Sequence, residues 1–61
     1  MSGPDLKRRR REAGIQQGAL ALEMGRSRQS LWTLENAAEV DRPTRERYLR
    51  SLETLATSLR R

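Results

Sequence analysis

The stretch Gln17-Gly18-Ala19-Leu20-Ala21-Leu22-Glu23-Met24-Gly25-Arg26-Ser27-Arg28-Gln29-Ser30-Leu31-Trp32-Thr33-Leu34-Glu35-Asn36 decides how this chain folds. Leu20, Ala21 and Met24 recur at helical spacing and define one apolar face. Gly25 adopts a positive φ at no steric cost, so it can end that helix sharply. The Ser27 hydroxyl can accept from a free backbone N–H and start a second helix. Leu31 and Leu34 then form a second apolar stripe. The opposite face carries Arg28, Gln29, Trp32, Thr33 and Asn36, where an ordinary solvated helix would carry Lys and Glu. Two short helices joined by a tight turn are expected, the sequence shape of a helix-turn-helix.

On the N-terminal side the chain starts loosely over residues 1–4. Ser2 or Gly3 can cap a first helix with Pro4 in its first turn, where the missing N–H costs nothing. Asp5 suits that positive end. This helix is expected over residues 4–13, yet its apolar content is only Leu6 and Ala13, around the run Lys7-Arg8-Arg9-Arg10-Arg11. Five successive cations wrap around a helix, so at least one must face inward. Arg10, four residues after Leu6, is the candidate, and a buried Arg requires an anionic partner. Arg8, Arg9 and Arg11 read as a solvated basic face. Gly14 ends the helix, and Ile15 starts a short link with its side chain in the core.

On the C-terminal side residues 36–43 read as a linker. Asp41 or Thr44 can cap a last helix whose start holds Pro43. Over residues 44–59 Tyr48, Leu52, Leu55 and Leu59 make one stripe, widened by Leu49 and Ala56. These spacings also fit a heptad seam, though two heptads are too few for a coiled coil. Arg60 and Arg61 suit the negative end of that helix.

Composition narrows the function classes. At 61 residues the chain is expected to be one domain with a thin aliphatic core, since only 34% of it is hydrophobic and it has no Phe. There is no Cys and no His, which removes disulfides, thiolate metal sites and the commonest general base. No carboxylate pair or glycine-rich phosphate loop points to catalysis, so an enzyme is not expected, nor a cofactor, metal or small-molecule ligand. No apolar run reaches the length of a membrane span and no signal peptide is read, so a cytoplasmic protein is expected. The net charge is +5, and twelve of the 13 basic residues are Arg. Arg pairs with phosphates and guanine edges through its planar fork, so nucleic acid is the expected partner. Part of the Arg bias is what a GC-rich genome would also give.

Residues 14–36 resemble the helix-turn-helix core of the lambda-repressor-like family, also called Xre or Cro/C1-type. The positions that carry the resemblance are Gly14, Gln17, Leu20, Ala21, Met24, Gly25, Ser27, Leu31, Leu34, Glu35 and Asn36. (Lambda repressor and Cro are standard examples of the motif.) The chain is expected to form an all-α, four-helix domain with an extended last helix, and the resemblance implies that it is a DNA-binding domain with the helix-turn-helix at the second and third helices. It implies base contacts from Arg28, Gln29 and Thr33, to which we add Trp32. It places phosphate contacts at Gln17, Ser27 and Asn36, with Arg42 and Arg45 near the backbone or minor groove. It also pairs Arg10 with Glu35 as a structural ion pair.

Some positions depart from the family pattern. Gln16 stands where Ser or Thr caps, Arg9 where an apolar residue docks the first helix, and Ala37 where Gly closes the recognition helix. Leu52, Leu55, Ala56, Ser58 and Leu59 resemble the family's next core helix but lie about two turns late, and the chain stops where a fifth helix would begin. That helix often builds the dimer contact, so Tyr48, Leu52, Leu55 and Leu59 are the expected dimer interface instead. The functional expectation is a Cro-like repressor or autoregulator that binds an inverted-repeat operator as a homodimer, in a bacterial or phage-infected cell and nucleoid-associated. The alternative is a protein-interaction module, such as an antitoxin, on the same fold. An RNA binder has little support, because aromatic stacking platforms are missing.

Overall fold

The computed structural model describes residues 1–59, and everything in it is helix, turn or link. Helix α1 spans Gly3–Glu12, α2 Gln17–Met24, α3 Arg28–Glu35 and α4 Arg42–Leu59. Among the described residues the protein is all-α. The expectation for Arg60 and Arg61 lies outside the described residues.

Helix α1 starts at Ser2, whose hydroxyl accepts from the Asp5 N–H at 3.2 Å. Its inward side is Gly3, Leu6 and Arg10, while Lys7, Arg8, Arg9 and Arg11 face solvent. The start of the chain is not loose. The Gly3 N–H donates to the Ala37 carbonyl at 2.8 Å, and the Val40 N–H donates to the Met1 carbonyl at 3.0 Å. These bonds strap the first residues to the link between α3 and α4, giving that link acceptors and donors it would otherwise take from water.

Helix α2 ends at Gly25, whose φ of 70° lets its own N–H and that of Arg26 return to carbonyls of the last turn. Helix α3 starts immediately, capped by Ser27, whose hydroxyl accepts from the Ser30 N–H at 3.1 Å. Helix α4 starts two residues earlier than the sequence suggests, at Arg42. The Arg45 N–H takes the Asp41 carbonyl at 2.9 Å, and Pro43 sits in the first turn, where no donor is needed.

The core is Leu6, Ile15, Leu20, Ala21, Met24, Leu31, Val40, Tyr48 and Leu52, with Leu34, Leu49 and Leu55 partly buried against it. Each helix contributes, so no pair of helices can close the core alone. Val40 is a core residue that the sequence reading passed over, because it lies in an irregular link with no period to mark it. Tyr48 and Leu52 require a correction. Tyr48 is 0% exposed and Leu52 is 7% exposed. They fill the interior of a single chain and are not available to a second copy. A stripe of apolar residues at 3–4 spacing satisfies an internal core as well as a dimer seam, and here the core takes it. Leu55 is partly buried on the core and Leu59 is exposed. No helix is long and apolar enough to cross a membrane among the described residues.

Candidate nucleic-acid interface

Helix α3 has a sharp division between its two sides. Leu31 and Glu35 are buried and Leu34 is partly buried, while Arg28, Gln29, Trp32, Thr33 and Asn36 are exposed. Arg28 and Trp32 lie one turn apart on the outer face, as do Gln29 and Thr33. Thr33 is exposed, and its hydroxyl donates to the Gln29 carbonyl at 3.1 Å. Trp32 is 57% exposed, far more than a core or tightly docked aromatic.

The residues expected to flank this face have varied surroundings. Ser27 is exposed and uses its oxygen as the α3 cap. Asn36 is exposed at the other end, and its amide donates to the Trp32 carbonyl at 2.7 Å, which closes the helix where glycine is missing. Gln17 points inward: its Nε2 donates to Glu35 Oε1 at 3.0 Å. A phosphate contact from the Gln17 side-chain amide nitrogen would therefore cost an internal hydrogen bond. The backbone offers another donor set, because no side chain caps the N-terminus of α2. Free N–H groups at a helix start attract anions. Arg42 is exposed and pairs with Glu46 at 3.1 Å. Such a surface pair is worth little. Arg45 is half-buried on the first turns of α4.

The inner side of α3 is anchored by charge. The Arg10 Nε donates to Glu35 Oε2 at 2.7 Å, and Arg10 Nη2 donates to Glu35 Oε1 at 3.2 Å. The same guanidinium donates through Nη1 to the Ile15 carbonyl at 2.9 Å. The Tyr48 hydroxyl lies 2.5 Å from Glu35 Oε2, with the Leu6 carbonyl at 3.1 Å as a secondary acceptor. Among the described residues no buried side-chain N or O atom lacks a partner. Glu35 thus ties α3 to α1, to the start of α2 and to α4 at one point.

The electrostatics follow from this geometry. Burial by itself pushes the Glu35 carboxyl up, but the hydrogen bonds from Arg10, Tyr48 and Gln17 outweigh it and hold the group below its ordinary value. Burial likewise opposes the charge on Arg10, and its bonds to Glu35 reverse the effect and raise it. Burial, then donation to Glu35, pushes the Tyr48 phenol well above its ordinary value, so it stays protonated. The role of Tyr48 escaped the sequence because nothing in a helical stripe tells which member carries its polar tip to a buried acid.

Two other residues were missed. Gly3 sits against the end of α3, where an added Cβ would meet the Glu35 carbonyl carbon at 2.7 Å and its oxygen at 2.8 Å. Gly18 lies beneath the side chain of Arg28. Only a glycine standing where a helix gains nothing from it hints at either contact.

No group of three or more His, Cys, Asp or Glu is placed to hold a metal ion among the described residues. No protein-family model, curated protein or solved structure matches the chain.

Proposed function

We propose that this chain is a helix-turn-helix protein of the lambda-repressor-like type that binds double-stranded DNA sequence-specifically and regulates transcription by occupying operator DNA. Helix α3 is the recognition helix, and α2 supports it on the sugar-phosphate backbone. The observation that carries this reading is the outer face of α3. It displays Arg28, Gln29, Trp32 and Thr33 to solvent with no acidic residue among them, while the one acid of the helix, Glu35, is turned inward. None of the ion pairs among the described residues uses a side chain of that face. Apart from the Thr33 hydroxyl hydrogen, which goes to the Gln29 carbonyl, the side-chain donors and acceptors of these four residues take no hydrogen bond from the described protein residues.

The chemistry suits a major groove. Arg28 can bond guanine O6 and N7 in bidentate fashion, and Gln29 can do the same with adenine N6 and N7. The Thr33 methyl and the Trp32 ring fit a thymine methyl or the edge of a deoxyribose. Ser27, Asn36, the start of α2, Arg42 and Arg45 meet phosphates, which position the helix without reading sequence. The net charge of +5 favours association with any DNA.

The reading includes a two-fold dimer on DNA, which sets two recognition helices in successive major grooves about 34 Å apart. With Tyr48 and Leu52 inside, the apolar surface for it is the outer end of α4, where Leu59 is 65% exposed beside the partly buried Leu55.

Selecting bound sites from random duplex DNA tests the reading. A palindromic consensus is expected, and Arg28→Ala should blur it at one base pair of each half-site. Equal affinity for selected and random duplexes would overturn sequence-specific binding. A protein-interaction module is the second reading, favoured by Leu22, which is 83% exposed on α2. A wild-type chain that binds no duplex in that selection supports it.

A further inference from the structure

Gly18 is the second residue of α2 and Arg28 the first of α3. A Cβ placed on Gly18 would lie 3.2 Å from Arg28 Cδ, 3.8 Å from Cγ and 3.9 Å from Nε. The Arg28 stem is therefore laid along the backbone of α2 rather than extended away from the protein. The backbone gives no reason for a glycine here, because the positive φ angles belong to Gly14 and Gly25. Helix propensity opposes it too. What glycine supplies at this position is space. None of the ion pairs among the described residues includes Arg28, so the contact with Gly18 is the restraint the structure shows.

We propose that Gly18 is a positioning residue for Arg28: the bare backbone at position 18 seats the arginine stem and fixes the direction in which its guanidinium leaves the surface. The specificity part of this inference rests on the DNA reading above; the seating does not. An arginine has many rotamers, and holding its stem in advance lowers the entropy lost when the head engages a base. Carbon atoms rest comfortably about 3.5–4.0 Å apart. An alanine at position 18 therefore lifts the stem by a few tenths of an ångström, and a leucine fills the seat and displaces it.

The test uses the full chain with Gly18→Ala and Gly18→Leu, both good helix formers, checked for helix content by circular dichroism. In the free protein, nuclear Overhauser contacts are expected between the Gly18 Hα and Arg28 Hγ and Hδ protons, and the Arg28 Nε–H resonance should shift in Gly18→Leu. No such contact, or an unmoved resonance, overturns the seating. In duplex selection, Gly18→Leu should lower the preference at the Arg28 base pair about tenfold, equal to about 1.4 kcal/mol. Other base pairs should be unchanged, and Gly18→Leu should add nothing in an Arg28→Ala background. A loss spread over all base pairs, or one that persists without Arg28, overturns the positioning role. A wild-type chain that selects no sequence overturns the DNA reading, and the seating then stands or falls on the magnetic-resonance result.

Discussion

Replacing Arg10 with Met keeps the length of the side chain and removes its charge. Arg10 supplies two hydrogen bonds to Glu35 at 2.7 and 3.2 Å and one to the Ile15 carbonyl at 2.9 Å. Glu35 is 1% exposed, so water cannot replace the lost donors. The Tyr48 hydroxyl and the Gln17 amide would remain as its partners, against a buried negative charge. Breaking a buried pair from one side costs about 3–5 kcal/mol. A domain of this size holds about 3–9 kcal/mol in all, at about 0.05–0.15 kcal/mol per residue. Arg10→Met should therefore consume most of the stability and lower the melting temperature by more than about 12 °C, at about 4 °C or more per kcal/mol. Urea unfolding followed by far-ultraviolet circular dichroism is the suitable assay, since the exposed Trp32 reports poorly on the core. The double variant Arg10→Met with Glu35→Leu removes the orphaned charge. It should recover about 2 kcal/mol of the loss, the remainder reflecting the unpaired Ile15 carbonyl and the Tyr48 hydroxyl left with Leu6 alone. A loss below about 1 kcal/mol for Arg10→Met, as surface pairs give, would refute this account, as would a double variant no more stable than the single one.

Three further outcomes are expected. Because the folded-state Glu35 carboxyl is held below its ordinary value, its contribution is complete above pH about 4.3 and is lost as the pH falls through the lower folded value. Acid titrations of stability should show this limb, and Glu35→Gln should be less stable at neutral pH with a shallower acid decline. Gly3→Ala should cost about 1–3 kcal/mol, because its Cβ would press on the Glu35 carbonyl and the backbones of α1 and α3 would have to part; thermal unfolding measures it. Tyr48→Phe should cost about 1.5–3 kcal/mol in the same assay, the range for a hydrogen bond to a charged group, and leave the sedimentation coefficient unchanged. A change of association state without loss of stability would return Tyr48 to an interface.

Local signals made the α2–α3 segment legible in the sequence. Met24, Gly25 and Ser27 mark a helix end and a helix start by backbone chemistry that acts within a few residues. The inward turn of Arg10 was also legible, since five cations in a row leave no outward place for all of them. Tyr48 and Leu52 were misread because helical spacing states that a face is covered and not by what. Val40 and Gly3 gave no periodic signal, and their roles arise where an irregular link and a helix start meet the end of α3.

The sequence by itself determined that this protein is helical, where α2 and α3 part, that one cation of α1 is buried, and which polar side chains share the outer face of α3. Spacing, capping and charge count act locally, so they can be read without coordinates. Only the tertiary structure decided that Tyr48 donates to Glu35, that the first residues strap the α3–α4 link, and that the Arg28 stem rests on Gly18. Each of these joins residues from separate elements, and whether two surfaces meet depends on how the helices pack, which no single stretch of sequence encodes.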